Sequence, residues 1–88
     1  MRIRARYLSI VRDFLGIFED VIELEGNEYT IREVLEIIRD LRPKLRRLES
    51  MIPMMWVYLN GKHVHPMSNK KVKDGDVVTL MPTLYEGG

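Results

Sequence analysis

The stretch that most constrains this chain is "TIREVLEIIRDL", residues 30–41. Ile31, Val34, Leu35, Ile38 and Leu41 recur at the spacing that lines one face of an α-helix. Thr30 is placed to cap it, and Glu33, three residues on, completes a capping box. Tyr29 and Val34 stand where a hydrophobic staple would close around that cap, and Arg32 with Glu36 gives an opposite-charge pair four residues apart. Pro43 cannot continue the helix, because it lacks an N–H and its ring clashes with the preceding turn. It can open a new one, so "PKLRRLE" reads as a second, short helix. One helix with one apolar stripe needs a surface to cover it, and the rest of the chain alternates with the period of strands.

"RIRARYL" sets Ile3, Ala5 and Tyr7 on one face and Arg2, Arg4 and Arg6 on the other, a half-buried first strand. "VRDFLG" ends it, with Gly16 as a break. "FEDVIELEG" alternates again through Val21 or Ile22 to Leu24, and Gly26-Asn27 closes this second strand, which should form a hairpin with the first. After the helices, Asn60-Gly61 between "WVYL" and "KHVH" is a two-residue hairpin signal, since both positions tolerate positive φ. Asp74-Gly75-Asp76 marks another turn, and the last strand runs from Val77 to Met81, ended by Pro82. The order is strand, strand, helix, strand, short strand, strand. A right-handed crossover is expected to put the third strand parallel to the first. The helix then packs on one face of a mixed sheet, and the other face is left to water or a partner.

Eighty-eight residues make one domain, and a chain of this size buries roughly 60–65% of its unfolded surface. A net charge of +1 gives no warrant for nucleic acid. No run reaches membrane-spanning length, and the arginine-studded N-terminus lacks the apolar stretch of a signal peptide, so the expected location is cytoplasmic. There is no cysteine, hence no disulfide, thiolate metal site or thiol nucleophile. No Ser–His–acid or phosphate-loop pattern is present, so the catalytic groups are expected on partners.

The sequence closes on "TLYEGG". Two final glycines are a frayed tail, a remnant of expression, or a working carboxylate. Taken together, "YLSIVRDFLG", "TIREVLEII", "VYLNGKHV" and "VKDGDVVTLMP…GG", in this order over nearly the whole chain, resemble the ubiquitin-like β-grasp sulfur carriers, most closely the small subunit of molybdopterin synthase and more distantly the thiamin-pathway carrier. Thr83 stands where that family usually has a second proline, and Leu84-Tyr85-Glu86 is one residue longer than its usual spacer. The resemblance implies an α+β, ubiquitin-like β-grasp fold with a sheet of four to five strands and one main helix. It also implies a body over residues 1–82 and a flexible tail over 83–88.

The resemblance further implies that Gly88 is adenylated by a ubiquitin-activating-type enzyme using ATP and magnesium, then converted to a thiocarboxylate. The chain itself would bind no cofactor. The sulfur would be delivered with the large subunit of molybdopterin synthase, toward the molybdenum or tungsten cofactor. A protein modifier joined through Gly88 to lysines, or a carrier for thiamin synthesis or tRNA thiolation, would share the activation step. Glycine suits this role: without a Cβ, Gly87 and Gly88 can thread a narrow channel. Met81, Leu84 and Tyr85 are the expected partner contacts beside the tail.

His63 and His65 lie two apart on a strand and so would share a face, but a metal would need more ligands, and a solvated hairpin is expected instead. The basic "RPKLRR" is read as complementing a helix dipole, and Met51, Met54 and Met55 as filling gaps in core and loop.

Overall fold

Strand β1 (Arg2–Tyr7) follows the alternation of its sequence: Ile3, Ala5 and Tyr7 are buried and the three arginines are exposed. The computed structural model describes residues 1–52 and 54–82. After β1 the chain departs from the expected strand end. Ser9 takes a positive φ of 57°, and residues 10–15 coil into helix α1 (Ile10–Leu15). Gly16 stops it in the left-handed conformation at φ 79°, its N–H donating to the Arg12 carbonyl at 2.8 Å. Six residues are too few to display a helical period, and of these only Val11 is fully buried.

Strand β2 (Glu19–Glu23) returns antiparallel to β1 as expected, with Ile22 opposite Ile3. That register decides an open alternative: Ile22 faces the core, and Val21 is 51% exposed. Strand β3 (Tyr29–Thr30) leads into α2 (Ile31–Leu41). Both arms of the capping box form. The Glu33 N–H donates to Thr30 Oγ1 at 3.3 Å, and the Thr30 N–H donates to Glu33 Oε1 at 2.9 Å. Ile31, Val34, Leu35 and Ile38 are buried, but Leu41, expected on the same stripe, is 47% exposed. Leu45 and Leu48 of α3 (Lys44–Glu49) complete the core instead. Pro43 precedes α3 with helical dihedrals. The expected Arg32–Glu36 pair gives way to stronger competitors: Glu36 accepts from Arg46 at 2.9 Å and from Arg39 at 3.2 Å.

Strands β4 (Met55–Leu59) and β5 (Lys62–Val64) form the predicted hairpin. Asn60 and Gly61 both have positive φ, at 51° and 84°, so the turn twists in the sense the two strands need. Strand β6 (Lys71–Val72) pairs with β3 in a small second ribbon that the sequence pattern did not indicate. Strand β7 (Val77–Pro82) extends one residue beyond expectation, with Pro82 opposite Met55. Proline lacks a donor but is compatible with extended backbone at a strand's last position.

The main sheet has the order β2-β1-β7-β4-β5. Only the central β1–β7 pair is parallel. The third long strand, β4, therefore runs antiparallel to β1, contrary to the crossover expectation. The crossover leaves from β2, not β1, and it is β2 and β4 that share a direction. The Asp-Gly-Asp turn and the Asn-Gly turn are tied together. Asn60 Nδ2 donates to Asp76 Oδ1 at 2.9 Å, and the Val77 N–H donates to Asn60 Oδ1 at 2.9 Å. Among the described residues no helix is long and apolar enough to cross a membrane.

One polar network reaches the core. The buried Tyr7 hydroxyl donates to Asp20 Oδ2 at 2.7 Å, and Arg42, just past α2, forks onto both Asp20 oxygens at 2.7 and 2.9 Å. The Arg42 hydrogen bonds hold Asp20 below the usual carboxylate range, while burial pushes the Tyr7 phenol up. Asp20's folded pKa is depressed, so its contribution to stability is complete above the unfolded pKa of about 3.9 and is lost as pH falls through the folded value. Asp20→Asn should lower stability at neutral pH by about 1–3 kcal/mol and flatten the acid limb of a plot of Tm against pH. A parallel acid limb in the variant would mean that Asp20 is not the group responsible.

Candidate functional site

The helices cover one face of the sheet, and the pairing registers define the other as rows of side chains. Trp56 stands opposite Met81. In the next row Glu19, Arg6, Thr79, Tyr58 and His63 follow one another across all five strands. The row beyond holds Val21, Arg4 and Val77. Val78 and Leu80 point inward and are fully buried, so Thr79 and Met81 point outward.

On the β4–β5 side the rings cluster. Trp56 is 5.3 Å and Tyr58 5.5 Å from the His63 ring, centroid to centroid, and the two larger rings are 6.3 Å apart. Trp56 remains 37% exposed. The sequence reading did not single out this aromatic group, although its signal was present. The alternation of "MWVYL" puts Trp56 and Tyr58 on one face, and a two-residue turn at Asn60-Gly61 sets His63 against Tyr58. His63, expected as a solvated hairpin residue, is exposed and takes part in the cluster. His65 does not share its strand: β5 ends at Val64, and His65 Nδ1 accepts the Met67 N–H at 3.0 Å. Among the described residues no group of three or more His, Cys, Asp or Glu converges in a way that could hold a metal ion.

Of the expected site residues, Met81 is placed on this open face beside Trp56. Leu84, Tyr85, Gly87 and Gly88 lie outside the described residues, as does the spacer over 83–86 and the expectation of a flexible tail. The end of β7 is bordered by apolar groups. The Leu8 N–H donates to the Leu80 carbonyl at 3.0 Å, and Met54 directly precedes the residue that pairs with Pro82. Leu8, Met51 and Met54 are exposed and Met55 is core, so of the three neighbouring methionines one joins the core and two lie in the loop before β4. Two arginines of the basic run are paired within the fold. Arg42 engages Asp20, and Arg46 engages Glu36 and Asp40 at 2.9 Å each. Arg46 thereby holds Glu36 below the usual carboxylate range. Charge pairing holds Arg42 and Arg46, and Arg46 and Arg47 also lie in the last turn of α3, where positive charge complements the helix dipole.

The five-stranded mixed sheet, with α2 across one face and an open face on the other, is the ubiquitin-like β-grasp, an α+β architecture. Residues 5–87 match the ThiS family. Over 87 residues, 99% of this chain and 100% of the relative, it is 30% identical to the molybdopterin synthase sulfur carrier subunit of Chlamydomonas reinhardtii. Among solved structures, SAMP1 from Haloferax volcanii superposes with a TM-score of 0.78 at 18% identity, covering 100% of both chains. A chain of the complex of subunits 1 and 2 of the molybdopterin-converting factor from Helicobacter pylori gives 0.66 at 20% identity, covering 99% of this chain and 100% of that one. The chain belongs to the ThiS family of ubiquitin-like sulfur carriers.

Adjacent residues of β4 should separate folding from surface. Leu59→Ala, in the core, should cost about 2–5 kcal/mol in urea unfolding. Trp56→Ala, which removes one member of an exposed cross-strand cluster, should cost under about 1 kcal/mol. Equal losses would mean that Trp56 is part of the core and not available to a partner.

Proposed function

We propose that this chain is the sulfur carrier of a molybdopterin synthase, acting as its small, non-catalytic subunit. The observation that carries this reading is the end-to-end match to a sulfur carrier subunit of that enzyme, 30% identical over 99% of this chain. In the proposed cycle the Gly88 carboxylate attacks the α-phosphate of ATP on an adenylating enzyme of the ubiquitin-activating type, with magnesium held by that enzyme. Pyrophosphate leaves and an acyl-adenylate forms. A sulfur donor then displaces AMP and leaves a terminal thiocarboxylate. The large subunit of the synthase accepts that terminus and passes its sulfur to a pterin precursor.

The physical division of labour fits a carrier. A carboxylate is a poor electrophile and needs activation, and this chain offers no nucleophile or base patterned to supply it. What it offers is a folded body whose open face carries the exposed Trp56 and the half-buried Tyr58 and Met81, the last on the strand that the sequence continues into residues 83–88. Such a surface supplies the apolar anchors that a docking interface uses.

Adding one alanine after Gly88, or deleting Gly88, should leave Tm almost unchanged while abolishing pyrophosphate exchange with the cognate adenylating enzyme, because the reacting oxygen is misplaced. Met81→Asp should retain the fold and weaken docking by about 2 kcal/mol or more. Intact mass of the protein isolated from its native cells should show a terminal oxygen replaced by sulfur. Native-rate exchange by the extended chain would end this reading, and a ladder of conjugates without thiocarboxylate would assign the chain to protein modification instead.

A further inference from the structure

At the end of β1, Arg6, Tyr7, Leu8, Arg12, Phe18 and Glu19 line a surface recess of about 320 Å³. Its charges are unevenly matched. Glu19 Oε2 is 2.7 Å from Arg4 Nη1, a short ion pair. Its other oxygen is 3.7 Å from Arg6 Nε, too long for a hydrogen bond. Arg12 has only Asp13, its chain neighbour, at 3.6 Å. Among the described residues no other carboxylate lies within ion-pair distance of Arg6 or Arg12, and both side chains are about half exposed. Three guanidinium groups thus share two carboxylates, and the pair lining the recess are the poorly satisfied ones. Between them sit two exposed apolar side chains, Leu8 and Phe18, the latter 67% exposed.

We propose that this recess is a docking site for an acidic side chain of the adenylating partner, whose carboxylate completes Arg6 and Arg12 while an adjoining apolar group covers Leu8 and Phe18. The inference rests on the carrier reading for the identity of that partner. Two features favour this occupant over bulk solvent. The uncompensated charge is positive and is carried by planar donors suited to a carboxylate. The position is the second: Leu8 is hydrogen-bonded to Leu80, so the recess adjoins the last described residues of β7, the strand that the sequence continues toward Gly88. Glu19 then becomes a competitor, holding Arg4 firmly and Arg6 loosely, so the partner's carboxylate displaces only the weaker contact.

The test is calorimetric titration of the full chain into the cognate adenylating enzyme at low and at high sodium chloride, with Tm recorded for each variant. Arg6→Glu should weaken binding by roughly tenfold or more and reduce its salt dependence. Arg2→Glu makes the same change in net charge at the far end of β1, where Arg2 pairs with Glu23; it should weaken binding by less than about twofold. Glu19→Gln should act in the opposite direction, tightening binding by freeing Arg6. The proposal is overturned if Arg6→Glu binds like the native chain, if Arg2→Glu is equally damaging, or if Glu19→Gln weakens binding as Arg6→Glu does. The carrier reading fails separately, through absent pyrophosphate exchange by the native chain. Native exchange with an indifferent Arg6 removes the recess alone.

Discussion

The parallel pairing of β1 with β7 is the constraint on which the rest of this structure depends. It joins residues 4–7 to residues 77–80, nearly the two ends of the described chain, in the middle of the sheet. Ala5 and Tyr7 of β1 and Val78 and Leu80 of β7 are all fully buried. The other strands of the main sheet attach outward from this pair, β2 on one side and β4 with β5 on the other. Such a contact brings little reward until a long loop has closed, so it is expected to form late and to make folding slow for so small a domain. The structure supports it with local devices that cost little entropy: the β4–β5 hairpin, a capping box, and the Asp-Gly-Asp turn. The Gly75 N–H of that turn donates to the Arg2 carbonyl at 2.7 Å.

What could be read from the sequence was what local periodicity encodes. The faces of β1, β4 and β7, the capped helix and the Asn-Gly turn all follow from alternation or from a residue type with one strong preference. What could not be read depended on long-range partners. Ile22 rather than Val21 faces inward because Ile3 lies opposite it. Leu41 sits on the right helical face by spacing, yet Leu45 and Leu48, beyond Pro43, occupy the core. Helix α1 is too short to show a period, and its start is set by a positive φ at Ser9, a residue without the preference that would announce it. The direction of β4 was misjudged because the crossover rule was applied to the first strand instead of the strand that enters the helix.

For the site, the sequence located Met81 correctly on the outward face but passed over its neighbours. Trp56, Tyr58 and His63 become a group only when β4 is placed beside both β5 and β7, which no local pattern states. The arginines of residues 42–47 show the converse. They read as a basic run in sequence, and in the fold two of them are consumed by Asp20, Glu36 and Asp40. Charge visible in a sequence is therefore a poor guide to charge available at a surface. On β1 and α1 the pairing is uneven: Arg4 is held closely by Glu19, whereas Arg6 and Arg12 have only long contacts.

This asymmetry follows from strand order. β1 contributes arginines to the open face and β4 contributes aromatic rings, and β7 lies between them with the smaller Val77 and Thr79 and then Met81. The face is thus divided across its strands, with arginines partly paired to glutamates on the β1–β2 side, aromatic rings on the β4–β5 side, and β7 at the seam. An apolar surface alone would bind with little preference for orientation, because burial of apolar area is non-directional. Charge on one flank supplies a direction. For the proposed carrier, whose reacting group would be Gly88, orientation would matter more than affinity. A rotation of the body about the seam would swing that group away from a fixed catalytic centre, and each residue of extended chain spans only about 3.3 Å with which to compensate.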